Sequence, residues 1–224
     1  MKTILVSGSS SGIGFAICEE SKKQGHNVIG ISRNINSRAT ELGIRSYSVD
    51  VTNQNQINEL VNNLTSENIT IDILINNAGL LIKDKFRDTT DDTFKKVYDV
   101  NVFGLANLTR ALLPIINTDG QVINISSIGG VNTSKKFPGL SAYASSKGAL
   151  ITLTEVLAEE YRSRPRFNCL ALGSVKTKML AEAFPGYEAK IKPDEMAKQI
   201  LDFAFDQNNT RNGEIITLDK GNLE

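Results

Sequence analysis

Short apolar runs rich in valine and isoleucine alternate with segments of helical spacing, and this alternation constrains the fold more than any other feature. Most runs are apolar at successive positions, as strands are when both faces of a parallel sheet are buried. We therefore predict one α/β domain over residues 1–224, a doubly wound parallel sheet of about seven strands with helices on both faces. The runs are ILVSG at 4–8, NVIGIS at 27–32, SYSVD at 46–50, IDILINNAG at 71–79, QVINIS at 121–126, FNCLALG at 167–173 and EIITLD at 214–219.

The segments between these runs have the spacing of amphipathic helices, and no linker, repeat or low-complexity tract separates them. In a doubly wound sheet, ligands bind beyond the carboxyl ends of the strands. The residues that follow each strand are therefore the candidate site residues. The helical segments are 13–25, 37–42, 55–68, 90–116, 141–163 and 194–206.

Charge and the first residues limit the kinds of partner that we expect. The 25 basic residues balance 25 acidic ones, which gives no electrostatic reason to expect nucleic acid or an anionic membrane as a partner. The start, MKTILVSGSS, has too short an apolar run for a signal peptide or a membrane span. We expect a cytoplasmic protein that binds a small molecule.

Histidine and cysteine are too scarce for several common kinds of site. His26 is the only histidine, and Cys18 and Cys169 lie far apart without a CxxC pattern. A histidine-based metal site and a Ser-His-Asp triad are therefore nearly excluded, and we expect no metal. If the protein is an enzyme, another side chain must carry the proton.

Three glycines follow the first strand in the sequence SGSSSGIG, at Gly8, Gly12 and Gly14. Glycines let the backbone turn tightly and approach a diphosphate, while the N-terminus of the next helix attracts its negative charge. A glycine cluster alone also marks ordinary turns, but here it joins a strand to a helix, as dinucleotide binding requires. This context favours a dinucleotide site.

The glycine spacing, G-x-x-x-G-x-G, resembles that of the short-chain dehydrogenase/reductase family, and further motifs extend the resemblance through most of the chain. The resemblance implies that the predicted sheet is Rossmann-like and that the protein is an oxidoreductase. The motifs are Asp50 after the third strand, NNAG at 76–79, Asn101 within DVNVFG, Ser127 after VINIS, and Tyr143 with Lys147 in YASSK.

The resemblance also implies the roles of the site residues. Asn101, Ser127, Tyr143 and Lys147 match the catalytic positions of the family, where the asparagine holds a water that links the lysine to solvent. Asp50 is expected at the adenine amino group and Thr177 at the nicotinamide carboxamide. The expected cofactor-binding residues are Gly8, Ser9, Ser11, Gly12, Ile13, Gly14, Arg33, Asn34, Asp50, Val51, Asn77, Ala78, Gly79, Tyr143, Lys147, Gly173, Val175 and Thr177.

The end of the second strand predicts which cofactor is preferred. An acidic residue there would bind the ribose 2′-hydroxyl of NAD(H), but this chain has ISRN and no carboxylate before Glu41. An arginine fork suits a phosphate in charge and in geometry. We predict a preference for NADP(H), with Arg33 and Ser9 at the 2′-phosphate; the alternative is that Arg33 merely points to water.

Tyr143 and Lys147 lie one helical turn apart, on one face of a helix. Lowering the pKa of a phenol by roughly three units takes about 4 kcal/mol of differential stabilisation. An ammonium at about 4 Å, in an effective dielectric near 20, supplies about 4 kcal/mol, so Lys147 alone is expected to suffice, and the positive nicotinamide ring of the oxidised cofactor would add to its effect. Tyr143 would then give a proton to a carbonyl oxygen that Ser127 orients, while NADPH supplies a hydride.

Several positions depart from the family pattern. Sixteen positions separate Ser127 from Tyr143, which predicts a longer loop over the site and makes Ser126 a rival for Ser127. Leu172 precedes Gly173 where the family has proline, which leaves the shape of the following loop open.

The segment from Lys178 to Pro193 is short and is either an apolar cover over the site or a helix packed on the core. Its apolar residues are Met179, Leu180, Ala183, Phe184 and Tyr187. Lys178, Lys190 and Lys192 are candidates to meet an acidic carrier or a carboxylate.

These features predict an NADP(H)-dependent oxidoreductase that acts on a ketone or secondary alcohol, similar to 3-oxoacyl-carrier-protein reductases and carbonyl reductases. The alternative is a regulatory protein that binds NADP(H) and senses its redox state without turnover. A homodimer or homotetramer, built through the long fourth and fifth helices, is implied by the resemblance alone.

Overall fold

The seven strands form one sheet in which every neighbouring pair is parallel, in the order β3-β2-β1-β4-β5-β6-β7. A computed structural model describes residues 1–162, 164–206 and 208–219. The part of the predicted domain from residue 220 onward lies outside these residues. The predicted doubly wound sheet is confirmed. The strands are β1 Thr3–Ser7, β2 Asn27–Ser32, β3 Arg45–Ser48, β4 Ile71–Asn76, β5 Ile116–Ser127, β6 Arg166–Leu172 and β7 Ile215–Leu218.

Helices cover both faces of the sheet and create a separate apolar cluster on each. Ile4 and Val6 of β1 pack with Met196 in one cluster, whereas Leu5 packs with Leu108 in the other. Successive strand residues point to opposite faces of the sheet, so the odd-numbered and the even-numbered positions must both be apolar. The helices are α1 Gly12–Lys23, α2 Ser37–Glu41, α3 Gln54–Ser66, α4 Asp91–Tyr98, α5 Leu105–Leu112, α6 Ser141–Glu160, α7 Lys178–Ala183 and α8 Pro193–Phe205.

The helical segment predicted over 90–116 is confirmed over residues 91–115, although the type of helix changes along it. A π-helical turn over Asp99–Gly104 separates α4 from α5, and a 3-10 turn over Leu113–Ile115 follows. A Cβ at Gly104 would lie 2.9 Å from both the Asp99 carbonyl oxygen and the Val51 side chain, so only glycine fits this close approach. The wider turn places Asn101 inside the protein.

The chain changes direction along the sheet between β1 and β4, the point at which doubly wound folds bind ligands. The carboxyl ends of the central strands open there into a cleft of about 950 Å³. No helix among the described residues is long and apolar enough to cross a membrane. The same residues hold no cluster of histidine, cysteine and carboxylate side chains suited to a metal.

Candidate active site

The glycine turn after β1 forms one end of the cleft. Gly8 and Gly12 have φ of +70° and +57°, a region that side-chain-bearing residues rarely adopt, and both line the cleft together with Ser11 and Ile13. Ser11 is the N-cap of α1, but its side chain makes no capping hydrogen bond within the described chain. The amides of the first helical turn are therefore left for an anionic ligand, which fits the diphosphate of a dinucleotide.

The turn is held against the NNAG segment by a set of side-chain hydrogen bonds. Ser7 Oγ accepts from the amides of Asn77 and Ala78, both at 3.0 Å. Asn77 Nδ2 donates in return to the carbonyl oxygens of Ser7 and Gly8, at 3.0 and 3.3 Å. A Cβ at Gly14 would lie 2.3 Å from the Gly8 oxygen and 2.5 Å from Asn77 Nδ2. Sequence reasoning did not assign this role to Ser7, although its hydroxyl directly precedes the glycine turn.

The end of β2 lies beside the glycine turn and presents Arg33 and Asn34 to the cleft, both exposed. Asn36 Nδ2 donates to the carbonyl of Ser10 at 2.9 Å, which ties this segment to the glycine turn. The prediction that Ser9 lines this end is wrong. Ser9 is buried beneath β2, where its Oγ would lie 2.6 Å from a Cβ at Gly30, and Ser10 lines the cleft instead.

The segment after β3 lines the cleft beyond Arg33. Asp50 Oδ1 accepts hydrogen bonds from the amide and hydroxyl of Thr52, at 2.9 and 2.8 Å, which fixes the carboxylate in the turn. Val51 is buried and presents an apolar surface to the same space. Ala78 and Gly79 of the NNAG segment lie opposite. The predicted cofactor residues from β1 to β4 therefore share one cleft, with the exception of the buried Ser9 and the packing residue Gly14.

Ser127 and Tyr143 meet at the other end of the cleft. Ser127 is the last residue of β5 and Tyr143 lies in the first turn of α6, and both side chains line this end of the cleft. Ser126 is buried, and its hydroxyl donates to the carbonyl of Lys147 at 2.9 Å. The Ser126 hydroxyl is thus committed to the helix backbone, which favours Ser127 over its rival as the serine that acts with Tyr143.

Lys147 lies behind the tyrosine and is almost fully buried. Its Nζ donates to the carbonyl of Ile125 at 2.8 Å and lies 5.9 Å from the centre of the Tyr143 ring. Burial lowers the pKa of Lys147 to about 8, against a smaller opposing effect of Cys169. Burial likewise raises the pKa of Tyr143 to about 12, against a smaller opposing effect of the Ser127 hydroxyl.

The expectation that Lys147 activates Tyr143 stays a prediction, because burial is the larger influence on the pKa of the phenol. At a pKa of about 12 the phenol is protonated near neutral pH.

Asn101 is fully buried and supports the site from outside the cleft. Its Oδ1 accepts from the amide of Leu80 at 2.7 Å, and its Nδ2 donates to the Leu80 carbonyl at 3.0 Å and to Ser146 Oγ at 2.9 Å. Asn101 Oδ1 and Lys147 Nζ would each lie 3.6 Å from a Cβ at Gly79. The asparagine thus joins the loop after β4 to helix α6, close to the lysine.

The loop after β6 brings Gly173, Val175 and Thr177 to the cleft although proline is missing before Gly173. Leu172 extends β6 and pairs with Leu218 of β7, and the Gly173 amide donates to the Leu218 carbonyl at 2.8 Å. Thr177 is the N-cap of α7 and its hydroxyl accepts from the amide of Leu180 at 3.2 Å.

Helix α7 and the residues after it form an apolar cover over the cleft. No residue of α7 is buried, which excludes a helix packed on the core. Lys83 Nζ lies 4.1 Å from the centre of the Phe184 ring, and Tyr187 Oη lies 3.0 Å from Ser174 Oγ. The apolar residues that line the cleft here are Met179, Leu180, Phe184 and Tyr187.

The lysines of this segment differ in their positions. Lys178 lines the cleft and pairs with Glu182 at 3.7 Å. Lys190 and Lys192 are exposed but do not line the cleft. Of the three predicted contacts to an acidic group, only Lys178 is placed to meet a ligand in the cleft.

Comparisons with known proteins agree with this geometry. A family model described as short chain dehydrogenase matches residues 2–188. The chain is 31% identical over 242 aligned residues to the 3-oxoacyl-(acyl-carrier-protein) reductase FabG of Thermotoga maritima, covering 98% of this chain and 97% of that protein.

Two solved structures illustrate the similarity of the fold. 4-Hydroxyisoleucine dehydrogenase complexed with NADH has a TM-score of 0.86 and 28% identity, covering 98% of this chain and 97% of that one. ElxO with NADP bound has a TM-score of 0.84 and 27% identity, covering 99% and 98%. Since the two hold different nicotinamide cofactors, similarity to them does not distinguish NAD(H) from NADP(H).

Proposed function

Because the chain belongs to the short chain dehydrogenase family, and is thus an oxidoreductase, we propose that it transfers a hydride between NADP(H) and a ketone or secondary alcohol. The observation that carries this proposal is that Ser127 and Tyr143 line the same cleft as the glycine turn. A proton donor and a diphosphate-binding end in one cleft suit a carbonyl reduction.

The residues that would hold the cofactor are those of the glycine turn and of the strand ends beside it. The amides of the first turn of α1 suit the diphosphate, and the pocket between Asp50 and Ala78 suits the adenine. Gly173, Val175 and Thr177 would border the nicotinamide. A bound nicotinamide supplies or accepts the hydride.

Tyr143 acts as the general acid of the reduction. Burial raises the pKa of its phenol to about 12, so the phenol is protonated and can donate its proton at neutral pH. Ser127 Oγ donates to the carbonyl oxygen and orients it. In the reverse direction, the phenolate must form, and it requires positive charge near the ring in addition to Lys147.

Lys147 and Asn101 support the proton donor. The lysine keeps its ammonium near the phenol through the bond to the Ile125 carbonyl. Asn101 is hydrogen bonded to the backbone of Leu80, in the loop after β4. A path for protons would run from Lys147 toward this loop. We propose that a water on this path resupplies the proton.

Arg33 favours NADP(H) over NAD(H). The described end of β2 presents Arg33, Asn34 and Ser32 to the cleft, where an acidic residue would repel a 2′-phosphate. The guanidinium is exposed, so it is free to reach a phosphate at the rim.

The substrate end suits a moderately apolar ketone. Met179, Phe184 and Tyr187 provide the apolar wall, and Lys178 is the cation placed to meet a carboxylate or an acidic carrier. The similarity to a 3-oxoacyl-(acyl-carrier-protein) reductase makes 3-oxoacyl thioesters the first substrates to test.

The protein is also proposed to form a homodimer or homotetramer. Phe103 of the π-helical turn and Val156 of α6 are large apolar side chains that are exposed, at 56% and 47% respectively. Sedimentation equilibrium would test the assembly: a larger species supports it, and a monomer at all concentrations contradicts it.

The function itself is tested with a panel of ketones that includes 3-oxoacyl thioesters, quinones and pterins, with consumption of NADPH as the readout. Turnover with at least one ketone is the expected result. If NADPH binds tightly but no ketone is reduced, the protein is better described as a sensor of the NADP(H) state.

A further inference from the structure

Two adjacent serines of the YASSK segment lie on different faces of helix α6. Ser146 is fully buried, whereas Ser145 is exposed. The Ser146 hydroxyl donates to the carbonyl of Tyr143 at 2.7 Å. The Ser145 hydroxyl donates in the same way to the carbonyl of Ser141, also at 2.7 Å. Serines in helices commonly make such bonds to the preceding turn, so this bond alone gives neither serine a function.

The buried serine differs from its neighbour in a second hydrogen bond. Asn101 Nδ2 donates to Ser146 Oγ at 2.9 Å. The direction of both bonds of Ser146 is fixed by chemistry, because an amide nitrogen only donates and a carbonyl oxygen only accepts. The single proton of Ser146 is therefore directed to the Tyr143 carbonyl, and its oxygen accepts from Asn101.

The carboxamide of Asn101 is oriented by the backbone of Leu80. The Leu80 amide donates to Asn101 Oδ1 at 2.7 Å, and Asn101 Nδ2 donates to the Leu80 carbonyl at 3.0 Å. A reversed carboxamide would place nitrogen against amide and oxygen against carbonyl, so only this orientation satisfies both groups. The two protons of Nδ2 are thus divided between Leu80 and Ser146.

Ser146 therefore completes a path of hydrogen bonds between two walls of the cleft. The path runs from the Leu80 backbone through Asn101 and Ser146 to the carbonyl of Tyr143. Leu80 and Tyr143 line the cleft, whereas Asn101 and Ser146 are fully buried behind them. In buried surroundings such bonds are stronger than in water, and an unpaired amide proton is costly.

The carboxamide that Ser146 holds lies beside Lys147. Asn101 Oδ1 and Lys147 Nζ would each lie 3.6 Å from a Cβ at Gly79, so both polar atoms border the same glycine. A displacement of the Asn101 carboxamide would therefore change the polar surroundings of the ammonium. It would do so on the side toward the loop after β4.

We propose that Ser146 is a positioning residue, which ties the Asn101 carboxamide to the backbone of Tyr143 and so keeps the route of proton resupply to Lys147 in place. Ser146 does not line the cleft and does not contact the reacting atoms. This inference rests on the proposed function, in which Asn101 borders the route that returns a proton to the site.

Ser146→Ala removes the acceptor and leaves one Asn101 proton unpaired inside the protein. The kcat for ketone reduction should fall about 10-fold, the size of effect expected for one buried hydrogen bond. Slower proton resupply should also raise the solvent deuterium isotope effect on kcat. The KM for NADPH should not change, because Ser146 lies outside the cleft. Ser146→Cys keeps a weak acceptor and should restore part of the lost kcat.

Ser145→Ala is the matched control. It removes a hydroxyl with the same kind of backbone bond from the next position of α6, but that hydroxyl is exposed and makes no bond to Asn101. Its kcat and its solvent isotope effect should equal those of the wild type. A loss of kcat in Ser146→Ala with an unchanged isotope effect would assign Ser146 a purely structural role and overturn the proposal.

Hydrogen exchange at the Leu80 amide tests the path of hydrogen bonds without a substrate. This amide donates to Asn101 Oδ1, so its exchange should be faster in Ser146→Ala than in the wild type and in Ser145→Ala. Unchanged exchange would show that Ser146 does not hold the carboxamide. If the wild type reduces no ketone, the proposed function fails, and the Leu80 exchange rates still decide whether the path exists.

Discussion

Lys147 Nζ lies 5.9 Å from the centre of the Tyr143 ring while it donates to the carbonyl of Ile125 at 2.8 Å. The lysine is therefore anchored to β5 independently of the tyrosine. The phenol keeps a raised pKa and the lysine a lowered one, both because of burial. Since burial disfavours the phenolate, additional positive charge in the cleft would favour its formation.

Burial of the Lys147 ammonium should cost stability, so Lys147→Met is expected to stabilise the fold at pH 7. The pKa falls from 10.5 in the unfolded chain to about 8 in the folded protein, so the unfolded state binds more protons between these values. The penalty, up to about 3 kcal/mol, is complete below pH 8 and disappears as the pH rises toward 10.5.

Urea unfolding at pH 7 and at pH 10 would measure this effect. The free energy of unfolding of Lys147→Met should exceed that of the wild type by more at pH 7 than at pH 10. The variant should also lack activity. Lys198→Met, at an exposed position of α8, is the control and should change little. A gain for Lys147→Met that is the same at both pH values would rule out this explanation.

Arg33→Ala should weaken the preference for the phosphorylated cofactor. A charge-assisted hydrogen bond contributes about 1.5–3 kcal/mol, so the KM for NADPH should rise roughly 10- to 100-fold. The KM for NADH should remain nearly constant, because that cofactor lacks the phosphate. Steady-state kinetics with both cofactors measure the ratio of the KM for NADPH to the KM for NADH.

The matched control for Arg33 is Arg38→Ala. Arg38 is a neighbouring arginine, but it pairs with Glu19 at 2.6 Å on the adjacent helix and does not line the cleft. An equal change in cofactor preference for both variants would indicate a general loss of positive charge rather than a phosphate contact.

Two glycines in helices should respond in opposite ways to alanine. A Cβ at Gly14 would lie 2.3 Å from the Gly8 oxygen, so Gly14→Ala should cost about 1–3 kcal/mol and weaken cofactor binding. At Gly148 the nearest atom is 3.4 Å away, and alanine favours the helix by up to about 1 kcal/mol. Thermal unfolding and NADPH titration compare the two. Tolerance of Gly14→Ala would mean that the glycine turn is not packed as described.

Sequence reasoning predicted the layout of the sheet well, because a buried parallel strand must be apolar on both faces and leaves a visible pattern. It also placed the cleft, since the residues after each strand share one edge of the sheet. The π-helical turn between α4 and α5 was not visible, because residues on both sides of it keep helical spacing.

Side-chain direction limited the prediction of the site. Ser9 and Ser10 are adjacent and chemically alike, so only the path of the backbone decides which one faces the cleft. The interaction of Lys147 with the Ile125 carbonyl also escaped prediction, because a strand carbonyl leaves no mark in the sequence. Spacing showed that Tyr143 and Lys147 are neighbours but not where the ammonium is directed.

The central claim, that Tyr143 is the proton donor of an NADP(H)-dependent carbonyl reduction, is tested most directly by kcat in Tyr143→Phe. Loss of the general acid should reduce kcat about 10²- to 10⁴-fold while the affinity for NADPH is retained. Tyr161→Phe, at the other end of α6 against Phe167, should keep full activity. A Tyr143→Phe enzyme with wild-type kcat would contradict the account.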